Sequence, residues 1–118
     1  MRLATLMVLA GGVLACGPDT TALGSMNSTE IVASDDMFAP AADTVAVGQN
    51  IRWTFNTLNQ HTHNVTWDSG PTTPANSGDK IPATSYTVFF GQVGTYSYHC
   101  TFHGTSAGGG MAGTLVVQ

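Results

Sequence analysis

Two short segments hold most of this chain's metal-binding chemistry. One is mid-chain, His61-Thr62-His63-Asn64-Val65-Thr66-Trp67, and the other is near the C-terminus, Tyr96-Ser97-Tyr98-His99-Cys100-Thr101-Phe102-His103. All four histidines and one of the two cysteines lie within them. A thiolate with two imidazoles is a soft, nitrogen-rich donor set. It suits copper or zinc and excludes calcium and magnesium, which take oxygen ligands. The spacing C-x2-H places Cys100 at the end of a strand and His103 across the following turn, so that both side chains aim at one ion. The third donor then has to arrive from a different strand.

The elements that position these residues read as short β-runs separated by turn residues. Glu30 to Ser34, Thr44 to Val47, Ile51 to Asn56, His63 to Trp67, Ser85 to Phe90, Thr95 to Cys100 and Gly113 to Val117 are the expected strands. Ile51, Trp53 and Phe55 alternate with polar neighbours, which gives one strand a buried face. No window shows helical periodicity, and a Gly/Pro/Asn/Ser loop fills 68–82, with room for a short helical turn. Such a set predicts an all-β Greek-key sandwich. Trp53, Phe55, Tyr96, Tyr98, Val88 and Leu115 are its expected core.

The ordered motifs resemble the plastocyanin/azurin family of cupredoxins, the type 1 blue copper proteins. Gly94 to His103, continued by Gly110-Met111-Ala112-Gly113-Thr114-Leu115-Val116-Val117, is similar to that family's copper loop. His63-Asn64-Val65 resembles its first-ligand motif, and Phe38-Ala39-Pro40, Val45-Ala46-Val47-Gly48 and Trp53 resemble its early strands. The resemblance implies one copper ion held by His63, Cys100 and His103, with Met111 as a weak axial ligand. It further implies that Asn64 offers its backbone N–H to the cysteine sulfur and ties its side chain to Thr101, which orients the ligands. On that reading the N-x-T triplet at Asn64 carries no glycan, and the triplet at Asn27 is taken as chance. One departure is the run of seven residues, Gly104 to Gly110, between His103 and Met111. It is small and Gly-rich, so it can bulge outward and return Met111 to the site. A Met111 merely packed near the copper is the alternative.

The remaining histidines read blandly. His61 is expected as a solvated loop residue close to the copper, and His99 as a half-exposed residue on the strand face opposite Cys100.

At 118 residues the chain suits one domain. Charged residues make up only 8%, with a formal charge of −4. Beyond the leader the cations are Arg52 and Lys80, which excludes nucleic acid as a partner. Residues 1–15 read as a signal peptide: Arg2 precedes an apolar run too short to span a bilayer. The run ends at Val13-Leu14-Ala15-Cys16, which resembles the lipobox of bacterial lipoproteins, with lipidation at Cys16. An ordinary signal peptide cut near Ala15 is the alternative. Residues 16–28 then form a flexible tether and residues 29–118 a monomeric cupredoxin domain on the periplasmic side. With Cys16 lipidated, Cys100 has no disulfide partner, and a metal would occupy its thiol.

The expected function is electron transfer by copper cycling between Cu(I) and Cu(II), with redox partners such as a cytochrome or a copper oxidase or reductase. Copper storage or delivery is the alternative; the absence of a methionine cluster weighs against it. A copper enzyme needs an open coordination position and more histidines than this chain offers.

Overall fold

The computed structural model describes residues 29–118. The expected signal peptide at 1–15, lipidated Cys16 and tether at 16–28 lie outside the described residues.

Eight strands form two four-stranded sheets. They are β1 (Glu30–Ser34), β2 (Met37–Ala39), β3 (Ala42–Val45), β4 (Gln49–Phe55), β5 (Thr66–Ser69), β6 (Ser85–Phe90), β7 (Gly94–Gly104) and β8 (Gly110–Val117). One sheet has the order β2-β1-β4-β6 and the other β3-β8-β7-β5. Parallel pairs β1/β4 and β3/β8 and antiparallel pairs β4/β6, β5/β7 and β7/β8 make this a sandwich with crossing connections. The described residues contain no helix, so the loop between β5 and β6 lacks the helical turn for which it had room.

The alternating pattern of β4 turns Ile51, Trp53 and Phe55 into the gap between the sheets, where all three are buried. Trp53 is the hub of the core. Its ring centroid lies 5.6 Å from that of Trp67 and 5.4 Å from that of Tyr98, each edge-to-face. Both partners belong to the opposite sheet, so these contacts join the two layers. Such pairs contribute about 0.5–1.5 kcal/mol each beyond the area they bury. Tyr98 opposes Gly113 across β7/β8, and its ring occupies the space where a Cβ at 113 would stand. Tyr96 and Leu115 are fully buried as expected, whereas Val88 is only partly buried. Burial along β6 alternates: Tyr86 and Val88 are partly buried against the core, and Phe90 is the fully buried residue.

Several strand boundaries differ from the expectation: β7 runs on past Cys100 to Gly104, so His103 lies within the strand rather than across a turn, and β8 starts at Gly110 rather than Gly113. The pair β1/β2 is a hairpin turned by Asp35 and Asp36, with Asp36 at φ 64°. Three residues are too few to show periodicity, so β2 was legible only through the family resemblance of Phe38-Ala39-Pro40. The second expected strand, 44–47, lies at Ala42–Val45. The expected strand 63–67 starts only at Thr66. Upstream of it, backbone groups are satisfied by the long loop: the Val65 amide donates to Ser77 Oγ (2.8 Å), and the Ser77 amide to the Val65 carbonyl (3.0 Å). His63 is fixed by a two-way backbone bridge with Lys80, at 3.2 and 2.7 Å.

Candidate metal centre

On a regular strand, residues three apart point to opposite faces, so a straight β7 would separate Cys100 from His103. The structure resolves this with a break in register. His99 pairs with Ala112 and Gly104 with Gly110, so the segment holding Cys100 and His103 is longer than the stretch of β8 opposite it. The extra residues bulge, and both side chains turn to one point. His63 reaches the same point from the Lys80 bridge. Cys100 Sγ lies 3.8 Å from His63 Nδ1 and 3.8 Å from His103 Nδ1, and all three donor atoms fall within 4.8 Å of one another.

The donor set fits a metal. Ligand bonds of about 2.0–2.3 Å in a trigonal plane require donors about 3.7 Å apart, close to the spacing of the sulfur from both nitrogens. Cys100 and His63 are 0% exposed, and only the side chain of His103 (24%) reaches solvent. Cys100 is a free thiol.

Met111 is fully buried at the start of β8. The seven-residue run before it folds as the tip of a hairpin rather than a loose bulge. Gly104 pairs with Gly110, the Thr105 amide donates to the Gly109 carbonyl (3.0 Å), and the Gly108 amide donates to the Thr105 carbonyl (3.0 Å). Gly104 lies against the main chain of Met111 so closely that a Cβ there would collide with it. Gly110 adopts φ 64° with the His103 carbonyl in the space of its absent Cβ. These two glycines bring Met111 back beside the histidine loop.

Asn64 is 5% exposed and joins the two ligand segments. Its Nδ2 donates to Thr101 Oγ1 (2.7 Å) and Asp79 Oδ1 (3.1 Å), while its Oδ1 accepts from the Thr101 amide (2.9 Å) and Thr66 Oγ1 (3.3 Å). A buried side chain in this position is inaccessible for glycosylation.

Sequence reasoning missed Asp35. Its Oδ1 lies 2.9 Å from His63 Nε2, on the far side of the ring from Cys100. The Gln60 amide (2.8 Å) and the His61 amide (3.2 Å) also donate to this carboxylate. The Gln60 N–H first, then the His63 ring, hold its pKa below the ordinary aspartate value. A charged Asp35 keeps the His63 proton on Nε2 and leaves Nδ1 free to ligate. An Asp-Asp pair in a turn carries no local sign of this, because His63 lies 28 residues onward.

The other histidines divide. His99 is less exposed than expected, with a 14% exposed side chain: its Nδ1 lies 2.8 Å from Asp68 Oδ1. His61 is exposed but joins a cluster, with its Nδ1 3.7 Å from Asp35 Oδ1 and its ring centroid 5.3 Å from that of His103. Among the described residues, His61 and His99 share no donor group.

The sequence matches the family model for copper binding proteins, plastocyanin/azurin family, over residues 26–118. Plastocyanin from Prochlorothrix hollandica is 32% identical over 124 residues, covering 97% of this chain and 88% of that protein. A reduced amicyanin variant superposes with a TM-score of 0.62 at 26% identity, covering 75% of this chain and 80% of that one. A copper-containing nitrite reductase from Thermus scotoductus also superposes, with a TM-score of 0.62 at 18% identity. The match covers 75% of this chain but only 22% of the enzyme's, so it shows a shared fold. With a match over most of its length and a converging thiol and imidazole pair, the chain belongs to the plastocyanin/azurin family of copper-binding electron-transfer proteins, the cupredoxins, which hold one copper ion.

Proposed function

We propose that this chain is a one-electron carrier, cycling its copper between Cu(I) and Cu(II) outside the cytoplasm and exchanging electrons with redox proteins. The observation that carries the reading is enclosure: two of three convergent donors are wholly buried, and only the edge of His103 meets solvent. His63 Nδ1, Cys100 Sγ and His103 Nδ1 would hold the copper, and the buried Met111 thioether would be a weaker fourth donor. Bound there, copper supplies a reversible one-electron couple. The protein supplies rigidity. Asn64 and Thr101 lock the His63 segment to β7, Asp35 fixes the His63 tautomer, and the 104–110 hairpin returns Met111. A site so held limits rearrangement between the two valences. His103 is the route by which electrons leave, since it alone bridges the ligand plane and the surface.

The burial of the donors argues against catalysis by the isolated chain, because a catalytic metal keeps an open position. Export and a lipid anchor at Cys16 complete the proposal, supported by the apolar leader and the sequence Val13-Leu14-Ala15-Cys16.

Voltammetry of the copper-loaded protein tests the function. A reversible one-electron wave, with copper retained in both states against a competing chelator, is the expected result. Rapid loss of Cu(I) to the chelator would overturn it in favour of copper delivery.

A further inference from the structure

Outside the buried plane lies a second group of metal donors that the electron-transfer reading leaves unused. Asp36, His61 and His103 each present one ligand atom, all within 4.8 Å of one another. His103 Nε2 lies 3.5 Å from Asp36 Oδ1, and the His61 and His103 rings are 5.3 Å apart between centroids. Asp36 and His61 are well exposed, with side chains 62% and 56% accessible. The ionised Asp35 adds a second carboxylate 3.7 Å from His61 Nδ1. Two imidazoles with carboxylates suit Cu(II) and Zn(II).

We propose that Asp36, His61 and His103 form an outer metal-binding site that captures Cu(II) from solution and passes it inward. This proposal rests on the assignment of His63, Cys100 and His103 as the copper ligands. The argument turns on the two nitrogens of one ring. His103 Nδ1 faces Cys100 Sγ at 3.8 Å, while its Nε2 faces Asp36. A neutral imidazole has one N–H and one lone pair, so it ligates through one nitrogen and carries its proton on the other. Once Nδ1 holds the inner copper, Nε2 bears the proton and the outer site loses a donor. The two sites therefore exclude each other, and the outer one is available only before the inner one is filled.

Access requires such a station. His63 and Cys100 are 0% exposed, and His103 is the one of the three donors whose side chain reaches solvent. The ion loses part of its water to His61, Asp36 and His103 Nε2 while still at the surface. It then moves inward and exchanges His103 Nε2 for Nδ1, which already faces Cys100. The His103 N–H passes from Nδ1 to Nε2 by exchange with solvent, and the Cys100 thiol releases its proton to solvent as it binds. No change in copper valence is involved. The acidic pair at the mouth draws the cation in.

The test is stopped-flow mixing of the metal-free protein with Cu(II), following growth of the visible thiolate-to-copper band. His61→Ala and Asp36→Asn should each slow uptake about tenfold, while the final band keeps the parent's wavelength and intensity. Equal uptake rates in parent and His61→Ala overturn the outer site and leave the copper centre standing. A parent that never develops the band overturns the copper centre itself. A second measurement uses Cys100→Ala, which cannot form the thiolate bond. Its Cu(II) should give a colourless, nitrogen-coordinated paramagnetic resonance signal, with affinity about tenfold weaker once His61→Ala is added. Unchanged affinity in the double variant overturns the proposal.

Discussion

Cutting the Asn64 cross-link should weaken both the fold and the grip on copper, and the two effects can be separated. Asn64→Ala removes four hydrogen bonds: two donated by Nδ2 to Thr101 and Asp79, and two accepted by Oδ1 from Thr101 and Thr66. Each is worth about 0.5–1.5 kcal/mol net, and water replaces part of those reaching exposed Thr101 and Asp79. The sum is about 2–4 kcal/mol, a large share of the roughly 5–15 kcal/mol that holds a domain folded. For a domain of this size, 3 kcal/mol lowers Tm by roughly 12–24 °C. Thr101→Val, which deletes the hydroxyl and keeps the amide, should cost only about 1 kcal/mol. The two substitutions share a bond, so together they should cost less than their sum. Copper adds a further difference. Losing a group that orients a ligand lowers metal affinity about 10–100-fold, which widens the gap between parent and variant by about 1.4–2.8 kcal/mol with saturating copper. Urea unfolding of metal-free and copper-loaded proteins at one pH measures both. The reasoning is refuted if Asn64→Ala unfolds within 0.5 kcal/mol of the parent, or if copper leaves the gap unchanged.

Three other perturbations give distinct readouts. Asp43 is buried with one carboxylate oxygen unpartnered, and burial raises its pKa. Because the folded acid titrates above the unfolded one, stability is lost as pH rises through the folded pKa. Asp43→Asn should therefore raise Tm at neutral pH, with the gain vanishing near about pH 3; an equal gain at both pH values contradicts this. Gly104→Ala drives a Cβ into the Met111 main chain and should cost about 1–3 kcal/mol and alter the copper spectrum. Ser106→Ala at the exposed tip should change neither, as calorimetry and absorption would show. Asp35→Asn removes a negative charge from the His63 ring and should raise the copper potential by about 59 mV, a tenfold shift towards Cu(I). A potential that stays level or falls in voltammetry speaks against the carboxylate's role.

Much of the architecture was legible from local pattern. The alternation at 51–55 and the run from Thr95 to Cys100 announce buried faces because period-2 burial is a property of the strand itself. The C-x2-H spacing marked Cys100 and His103, but not how β7 aims both at one point. That depends on the register break against β8, which only the pairing partner defines. The same limit hid the start of β5. Side chains from a loop nine to twelve residues away satisfy the amides of Val65 and, through Asn76 Oδ1 at 3.0 Å, of Trp67. Asp35 was invisible for a related reason: its meaning comes from a ring brought near by the fold.

Titration of the metal-free protein with Cu(II), read by visible absorption, addresses the central assignment most directly. One equivalent of copper should produce an intense thiolate-to-copper band, and Cys100→Ser should abolish it while remaining folded. A protein that stays uncoloured, or a serine variant that keeps the band, contradicts the assignment of His63, Cys100 and His103 as the copper ligands.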